Sequence, residues 1–367
     1  MSEKLNTTPK ADHFKMPGEH EPHEAIWLAW PERSDTWHLQ AKPAQQSFAE
    51  VATAISEATP VYVAVSKCQL TNAKQMLPSN VNIVEMETND AWMRDIGPSY
   101  VVDEKGNRRA VDWQFNAWGG ELDGLYSPWD DDDKVASKVA RFYGDDYYRA
   151  PFILEGGSIH VDGEGTAYTT EECLLHPSRN PNLSKQDIED YLKAYLSVEK
   201  VIWLPFGLYN DKDTNGHVDN LIHVPRPGEV VLSWTEDTSD PQYHISLKAL
   251  EVLESEKDAK GRTLTVHKLP LPSPLYITED EAKTFEQSDG MDRSTGERLA
   301  GSYANFLITN NRIIFPLLDE TTDKQAKQAL QKIFPDYELV GIQARNILLG
   351  GGNIHCITQQ IPSKKNK

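Results

Sequence analysis

A glycine-bearing turn leading into a short strand recurs five times along this chain, and that recurrence restricts the fold more than any other feature. It appears in RDIGPSYVV (94–102), EGGSIHVDG (155–163), TNGHVDNLIHV (214–224), AGSYANFLIT (300–309) and GGGNIHCITQ (350–359). With Gly97, Gly157, Gly216, Gly301 and Gly352 as markers, the intervals are 60, 59, 85 and 51 residues. Loose repetition on this scale predicts one unit repeated around an axis. Between the marks, apolar residues at helical spacing predict helices over 43–58 and 184–196, the second started by Ser184 three residues before Asp187. The apolar runs 61–65, 201–206 and 312–316 predict buried strands. Strands and helices alternate throughout, so the fold class is α/β. No linker is long enough to separate two domains, and 254–262 and 285–298 read as surface insertions.

Charge narrows the partners. The 367 residues carry 37 basic and 56 acidic side chains, a net charge of −19. Such a surface repels phosphate backbones, which argues against nucleic acid as a partner, and it attracts small cations, although acidity that serves solubility alone is the plainer reading of the charge. The run WDDDDK (129–134) reads as a solvated loop. The polar opening MSEKLNTTPKADHFK and the lack of any long apolar run lead to an expectation of a cytoplasmic protein without a membrane partner.

Three scattered cysteines, Cys68, Cys173 and Cys356, form no CxxC pair, which argues against a disulfide framework or a structural zinc site. Cys356 follows a glycine run, whereas Cys68 and Cys173 read as small packed residues. Read as a strand, 353–359 turns His355 and Cys356 to opposite faces, so a base for Cys356 comes from elsewhere. In NGHVDN, His217 and Asp219 are two apart and share a strand face, a pairing suited to moving protons and holding a cation. Asp95 and Glu155 sit beside two of the other turns. Taken singly, each has a plainer reading: Asp95 as a turn cap or ion-pair partner, Glu155 as a strand-end carboxylate, His217 as a structural histidine. Their recurrence at one place in the repeat favours a shared site. His160, His176 and His223 show no HExxH or comparable metal spacing, so no metal is expected.

The motifs MPGEHEPHEAIWLAWPER (16–33), NDAWMRDIGP (89–98), FNAWGG (115–120), EGGSIHVDGEGTAYTTEECLL (155–175), DTNGHVDN (213–220) and LLGGGNIHCITQQIP (348–362) together resemble the agmatine deiminase family of the guanidino-group-modifying, or pentein, superfamily. The resemblance spans nearly the whole chain. It implies a five-bladed α/β propeller with pseudo-fivefold symmetry, forming one domain over 12–362 with 1–11 and 363–367 as flexible tails. It further implies that Cys356 is the nucleophile, His217 the general acid/base, Glu155 the residue orienting that imidazole, and Asp95 and Asp219 the grip on a guanidinium. Trp92 and Trp118 adjoin the matched motifs, either along the substrate's methylene chain or as core aromatics. The implied reaction is hydrolysis of agmatine to N-carbamoylputrescine and ammonia in polyamine metabolism, through an amidino-cysteine, without cofactor, in a homo-oligomer. Other activities of the same superfamily compete with it: arginine or peptidyl-arginine deimination, amidino transfer, or a non-catalytic binding role.

Overall fold

A computed structural model describes residues 2–288, 290–291 and 293–364. Five small mixed sheets follow one another along the chain. Four share a single plan, in which an inner strand pairs antiparallel with a middle strand, which pairs parallel with an outer one. The plan is clearest in Ile222–Arg226, Glu229–Trp234 and Thr265–Pro270, where helix Pro241–Ser255 makes the crossover between the parallel strands. It recurs in Leu307–Ile308, Arg312–Leu317 and Glu338–Gln343, in His160–Val161, Thr166–Thr170 and Lys200–Leu204, and in Ser99–Val102, Arg108–Gln114 and Tyr147–Ile153. A parallel pair needs a crossover long enough to return to the same end of the sheet, and a helix supplies it.

The remaining sheet is assembled from both ends of the chain. Gln359–Pro362 lies antiparallel to His23–Ala29, with Gln359 opposite Trp27 and Gln360 opposite Ile26. His23–Ala29 pairs in turn with Val61–Val65, and that strand with Asn82–Glu85. This pairing closes the ring and meets the expectation of fivefold repetition.

The predicted elements appear with their physical causes visible. Helix Lys42–Ser56 begins with proline in its first turn and buries Phe48, Val51, Ala52 and Ile55 along one stripe. Helix Lys185–Leu196 carries the full capping box: the Ser184 hydroxyl accepts from the Asp187 N–H, and the Asp187 carboxylate accepts from the Ser184 N–H. The strands predicted at 61–65, 201–206 and 312–316 form as Val61–Val65, Lys200–Leu204 and Arg312–Leu317.

Several expectations need correction. The run 129–134 is not a solvated loop, because Asp132 is buried and accepts bonds from the Asn89 N–H and the Tyr126 hydroxyl, while Asp133 pairs with Arg149. Cys68 is exposed rather than packed. The described residues of 285–298 are mostly exposed or half-buried, as a surface insertion requires, but Met291 is buried and the Arg293 side chain is almost fully covered, bonded to Asp213 and the Gly350 carbonyl, which anchors the insertion. Within 1–11, Lys4–Leu5 pairs with Tyr147–Tyr148 and the Lys10 N–H donates to the Ala194 carbonyl, which is not the behaviour of a tail. At the other end Lys364 pairs with Asp145, and 365–367 lie outside the described residues.

Candidate active site

Each inner strand is preceded by a short irregular segment, and these five segments meet. Met93–Ile96 precedes Ser99–Val102, Gly156–Ser158 precedes His160–Val161, Val218–Leu221 precedes Ile222–Arg226, and the turns at 302–305 and 354–357 precede Leu307–Ile308 and Gln359–Pro362. They deliver Asp95, Glu155, His217 with Asp219, Asn305 and Cys356. The predicted placement of His217 and Asp219 along one strand face is wrong in detail: His217 caps the one-turn helix that holds Asp219. Residues 353–359 likewise do not run as a strand, because 354–357 turn back on themselves and pairing starts only at Gln359. Turns suit the role better, since a strand points alternate side chains apart whereas a tight turn aims neighbours at one centre.

Gly157 marks that centre. A Cβ there would lie 2.6 Å from His217 Nδ1, 2.8 Å from Asp95 Oδ1 and 3.0 Å from Asp219 Oδ2, so only glycine lets the three groups approach. The Gly157 N–H donates to Asp95 Oδ1 at 2.9 Å, and the Trp118 indole N–H donates to Asp95 Oδ2 at 2.9 Å. Trp118 does this from a left-handed backbone, φ 63°, next to Ala117 at φ 54°. Two consecutive non-glycine residues in that region store local strain that the surrounding packing must offset. Trp92 lies in the wall behind the thiol: it donates to Asp90, stacks on Trp37 with ring centroids 4.8 Å apart, and leaves room for Gly352 beside Cys356 only because Gly352 lacks a side chain.

The Cys356 thiol is 4% exposed and approaches Asp219 Oδ2 at 3.8 Å. Its principal donor is Asn305, whose amide nitrogen is 3.2 Å from the sulfur and whose oxygen accepts from the His355 and Cys356 N–H groups. Asn305 was missed from sequence. The available signal was symmetry, since the fourth repeat was the one without an assigned polar residue. Arg94 was also missed: its backbone N–H donates to the Cys356 carbonyl, and its guanidinium reaches the His355 carbonyl and the side chains of Gln359 and Gln360, locking the first site segment to the last.

Glu155 makes no hydrogen bond to the imidazole, although its carboxylate and a His217 ring nitrogen lie within 4.8 Å of each other. Its Oε1 is held by buried Arg179 at 2.6 Å, and Arg179 also binds Asn215 and the Thr214 carbonyl, so it fastens the His217 loop to Glu155. Neither His217 nitrogen, nor Glu155 Oε2, nor Asp219 Oδ1 has a hydrogen-bond partner among the described residues. Buried polar atoms are nearly always paired, so these atoms are the ones a planar cation with several N–H donors would satisfy. Cys173 is buried, as a small packed residue should be, and it packs beside Glu155 and His217.

Burial sets the proton inventory. It pushes Asp95 up to about 7, helped by the charge of Glu155, and pushes Asp219 well above its ordinary value, helped by Asp95. Burial, with Asp219 and Asp95 nearby, likewise drives the Cys356 thiol well up, and burial with Arg179 drives His217 well down. These directions favour a neutral thiol, a neutral imidazole and a protonated Asp219 at rest, with Asp95 exchanging its proton near neutral pH. A bound cation reverses this by stabilising thiolate and carboxylates together.

Two groups of described residues bring possible metal-binding atoms within 4.8 Å of one another: Glu19, His160, His223 and His355, and Glu155, Cys173 and His217. In the first, both His355 nitrogens already meet carboxylates; in the second, Arg179 already engages Glu155. His176, by contrast, bonds locally to Ser178.

A thiol, an imidazole and paired carboxyls at the axis of five small sheets define a guanidino-group-modifying enzyme of the pentein fold. More narrowly, the chain belongs to the Porphyromonas-type peptidyl-arginine deiminase family, whose sequence model matches residues 15–362. A Photobacterium profundum protein provisionally named agmatine deiminase is 65% identical over 362 residues, covering 99% of each chain. The structure of the Enterococcus faecalis agmatine deiminase, described as catalysing its reaction, superposes with a TM-score of 0.96 at 48% identity, over 99% of this chain and 100% of that one. A C. jejuni agmatine deiminase with substrate bound matches with a TM-score of 0.81 at 30% identity, over 95% and 96%.

Proposed function

We infer that the chain is an agmatine deiminase, a hydrolase that cleaves a C–N bond of agmatine's guanidinium to give N-carbamoylputrescine and ammonia. The observation that carries the reading is the convergence of Cys356 with Asp95 and Asp219 in a buried site whose unpaired polar atoms match a planar cation. The full-length likeness to agmatine deiminases names the substrate.

In this reading Asp95 and Asp219 accept N–H bonds from the guanidinium and set its carbon against the sulfur. The thiol proton passes to His217, and the thiolate forms a C–S bond to the guanidinium carbon. The His217 imidazolium returns the proton to the departing nitrogen, ammonia leaves, and an S-amidino-cysteine remains. Water, deprotonated by His217, adds to that carbon and the C–S bond breaks. The hydroxyl proton of the adduct re-forms the thiol as the ureido product leaves, and the proton on His217 passes to solvent, where ammonia takes it up as ammonium. Asn305 stabilises the sulfur anion at both stages. Glu155, paired with Arg179, holds the His217 loop in place and sets its carboxylate near the imidazole.

The family's description names peptidyl-arginine instead. Burial of every reacting group favours a slender free amine over an arginyl peptide, whose backbone would have to follow the side chain toward the axis. A homo-oligomer in the cytoplasm completes the proposal, with light scattering as the check on assembly. The decisive assay incubates the protein separately with agmatine, arginine and a blocked arginyl peptide and measures ammonia and ureido product. Agmatine should be turned over and Cys356→Ala should be inert. Greater turnover of arginine or the peptide, or ammonia release by the alanine variant, overturns the reading.

A further inference from the structure

Behind Asp219 the carboxyl does not end in solvent or in backbone. Its Oδ2 lies 2.8 Å from His355 Nδ1, and His355 Nε2 lies 2.8 Å from Glu19 Oε2, with all three side chains buried. Glu19 is itself anchored, because its Oε1 accepts from the Ile308 N–H at 2.9 Å and faces His223 Nε2 at 3.6 Å.

An imidazole flanked by two oxygens at hydrogen-bond distance requires one proton in each gap. A neutral imidazole between two carboxylates supplies only one, and its bare nitrogen would then face an anion. The triad Glu19–His355–Asp219 therefore holds two protons and one net negative charge, however they are distributed. Only two arrangements meet this count with Glu19 ionised: neutral His355 accepting from a protonated Asp219, or imidazolium between two carboxylates. They differ by the position of a single proton along one 2.8 Å contact.

We propose that this triad is a proton store for substrate binding: when a guanidinium meets Asp219, the carboxyl proton moves to His355 Nδ1 and stays inside the protein. The O–H bond at Asp219 breaks, the N–H bond at His355 forms, and the Nε2 proton continues to donate to Glu19. The charge of the triad is unchanged while Asp219 becomes the anion the substrate needs. Glu19 and His355 are thus positioning residues that act through Asp219.

The groups around the relay are consistent with this. Arg94 and Asp95 on Met93–Ile96, Asp211 before the site loop, His217, His160 and His223 on neighbouring inner strands, His23 on the closing sheet and Cys356 all face it. Burial and Arg94 oppose charge on His355, which keeps the resting ring neutral, and burial with Asp95 favours the protonated Asp219. Although burial opposes its ionisation, Glu19 is held below its usual value, with Arg94 and the Ile308 N–H favouring the anion while burial keeps His223 and His160 neutral. Glu19 is therefore the fixed anion and Asp219 the group that exchanges.

The inference rests on agmatine being the ligand, and its test separates the two ideas. In the Cys356→Ser protein labelled with 15N-histidine, the His355 ring, assigned by its loss in a His355→Gln protein, should change from neutral to imidazolium on adding agmatine. A ring that stays neutral while agmatine binds overturns the proton store; failure of agmatine to bind at all overturns the functional reading. Calorimetry in buffers of different ionisation enthalpy gives a second readout. Adding Glu19→Gln to Cys356→Ser should raise the agmatine Kd about tenfold or more near pH 6, or release about one additional proton per ligand. An unchanged Kd and proton count would refute the proposal.

Discussion

At the scale of single residues, the site combines groups that are costly to bury with others that make burial tolerable. Asn305 shows the second kind. Its amide is the donor facing the Cys356 sulfur, and bonds of this type to a charged atom are worth roughly 1.5–3 kcal/mol. Asn305→Ala should therefore lower kcat by about ten- to a hundredfold and shift the pH profile of iodoacetamide inactivation of Cys356 toward higher pH. Asp219 shows the first kind. Its carboxyl holds its proton well above the ordinary value in the folded protein, so the native state binds that proton more tightly than the unfolded chain. Stability on this account is greatest below about pH 4 and falls as pH rises toward the folded value. Asp219→Asn removes the liability and should raise Tm by an amount that grows from about pH 4 upward while abolishing turnover; scanning calorimetry across pH checks it. Asp95, at about 7, gives the matching functional expectation: the KM for agmatine should fall as pH rises through 7, because the cation needs the anionic form.

At the scale of elements, the reacting groups stand on turns and one-turn helices fixed by neighbours rather than on regular structure. Trp118 is the clearest example, since its left-handed backbone is what aims the indole N–H at Asp95. Trp118→Phe keeps the ring and loses the donor, and should raise the KM for agmatine about tenfold with a smaller change in kcat, as steady-state kinetics would show. The same local irregularity limited what could be read from sequence. The glycine marks and alternation disclosed the repeat, and through it the segments that meet at the axis, because hydrophobic period and glycine spacing are local properties. Resemblance to a family then singled out Cys356, His217, Glu155, Asp95 and Asp219. Arg94 stayed hidden because its partners lie on the closing segment of the ring, and Asn305 and Arg179 because each bridges to a neighbouring site segment that only packing brings near. Reading 353–359 as a strand failed for a related reason. Its apolar alternation is real, but Asn305 takes up the His355 and Cys356 N–H groups that strand pairing would have used.

At the scale of the whole molecule, the two ends of the chain share a sheet. Gln359–Pro362 is an inner strand against His23–Ala29, and Arg94 clamps it from the next blade through Gln359 and Gln360. Removing residues 359–367 should expose the edge of that sheet and take the Gln359 and Gln360 side chains from buried Arg94, so the shortened protein should unfold at lower denaturant and lose activity together. Urea titration followed by tryptophan fluorescence measures the first, and ammonia release the second.

That seam also orders events during synthesis. The nucleophile is made long after the strand its segment pairs with, so a polypeptide that has not reached Cys356 holds the site's acids and imidazole but not its nucleophile. Chemistry begins only when tail meets head, and a chain that stalls before reaching Cys356 is inert by construction.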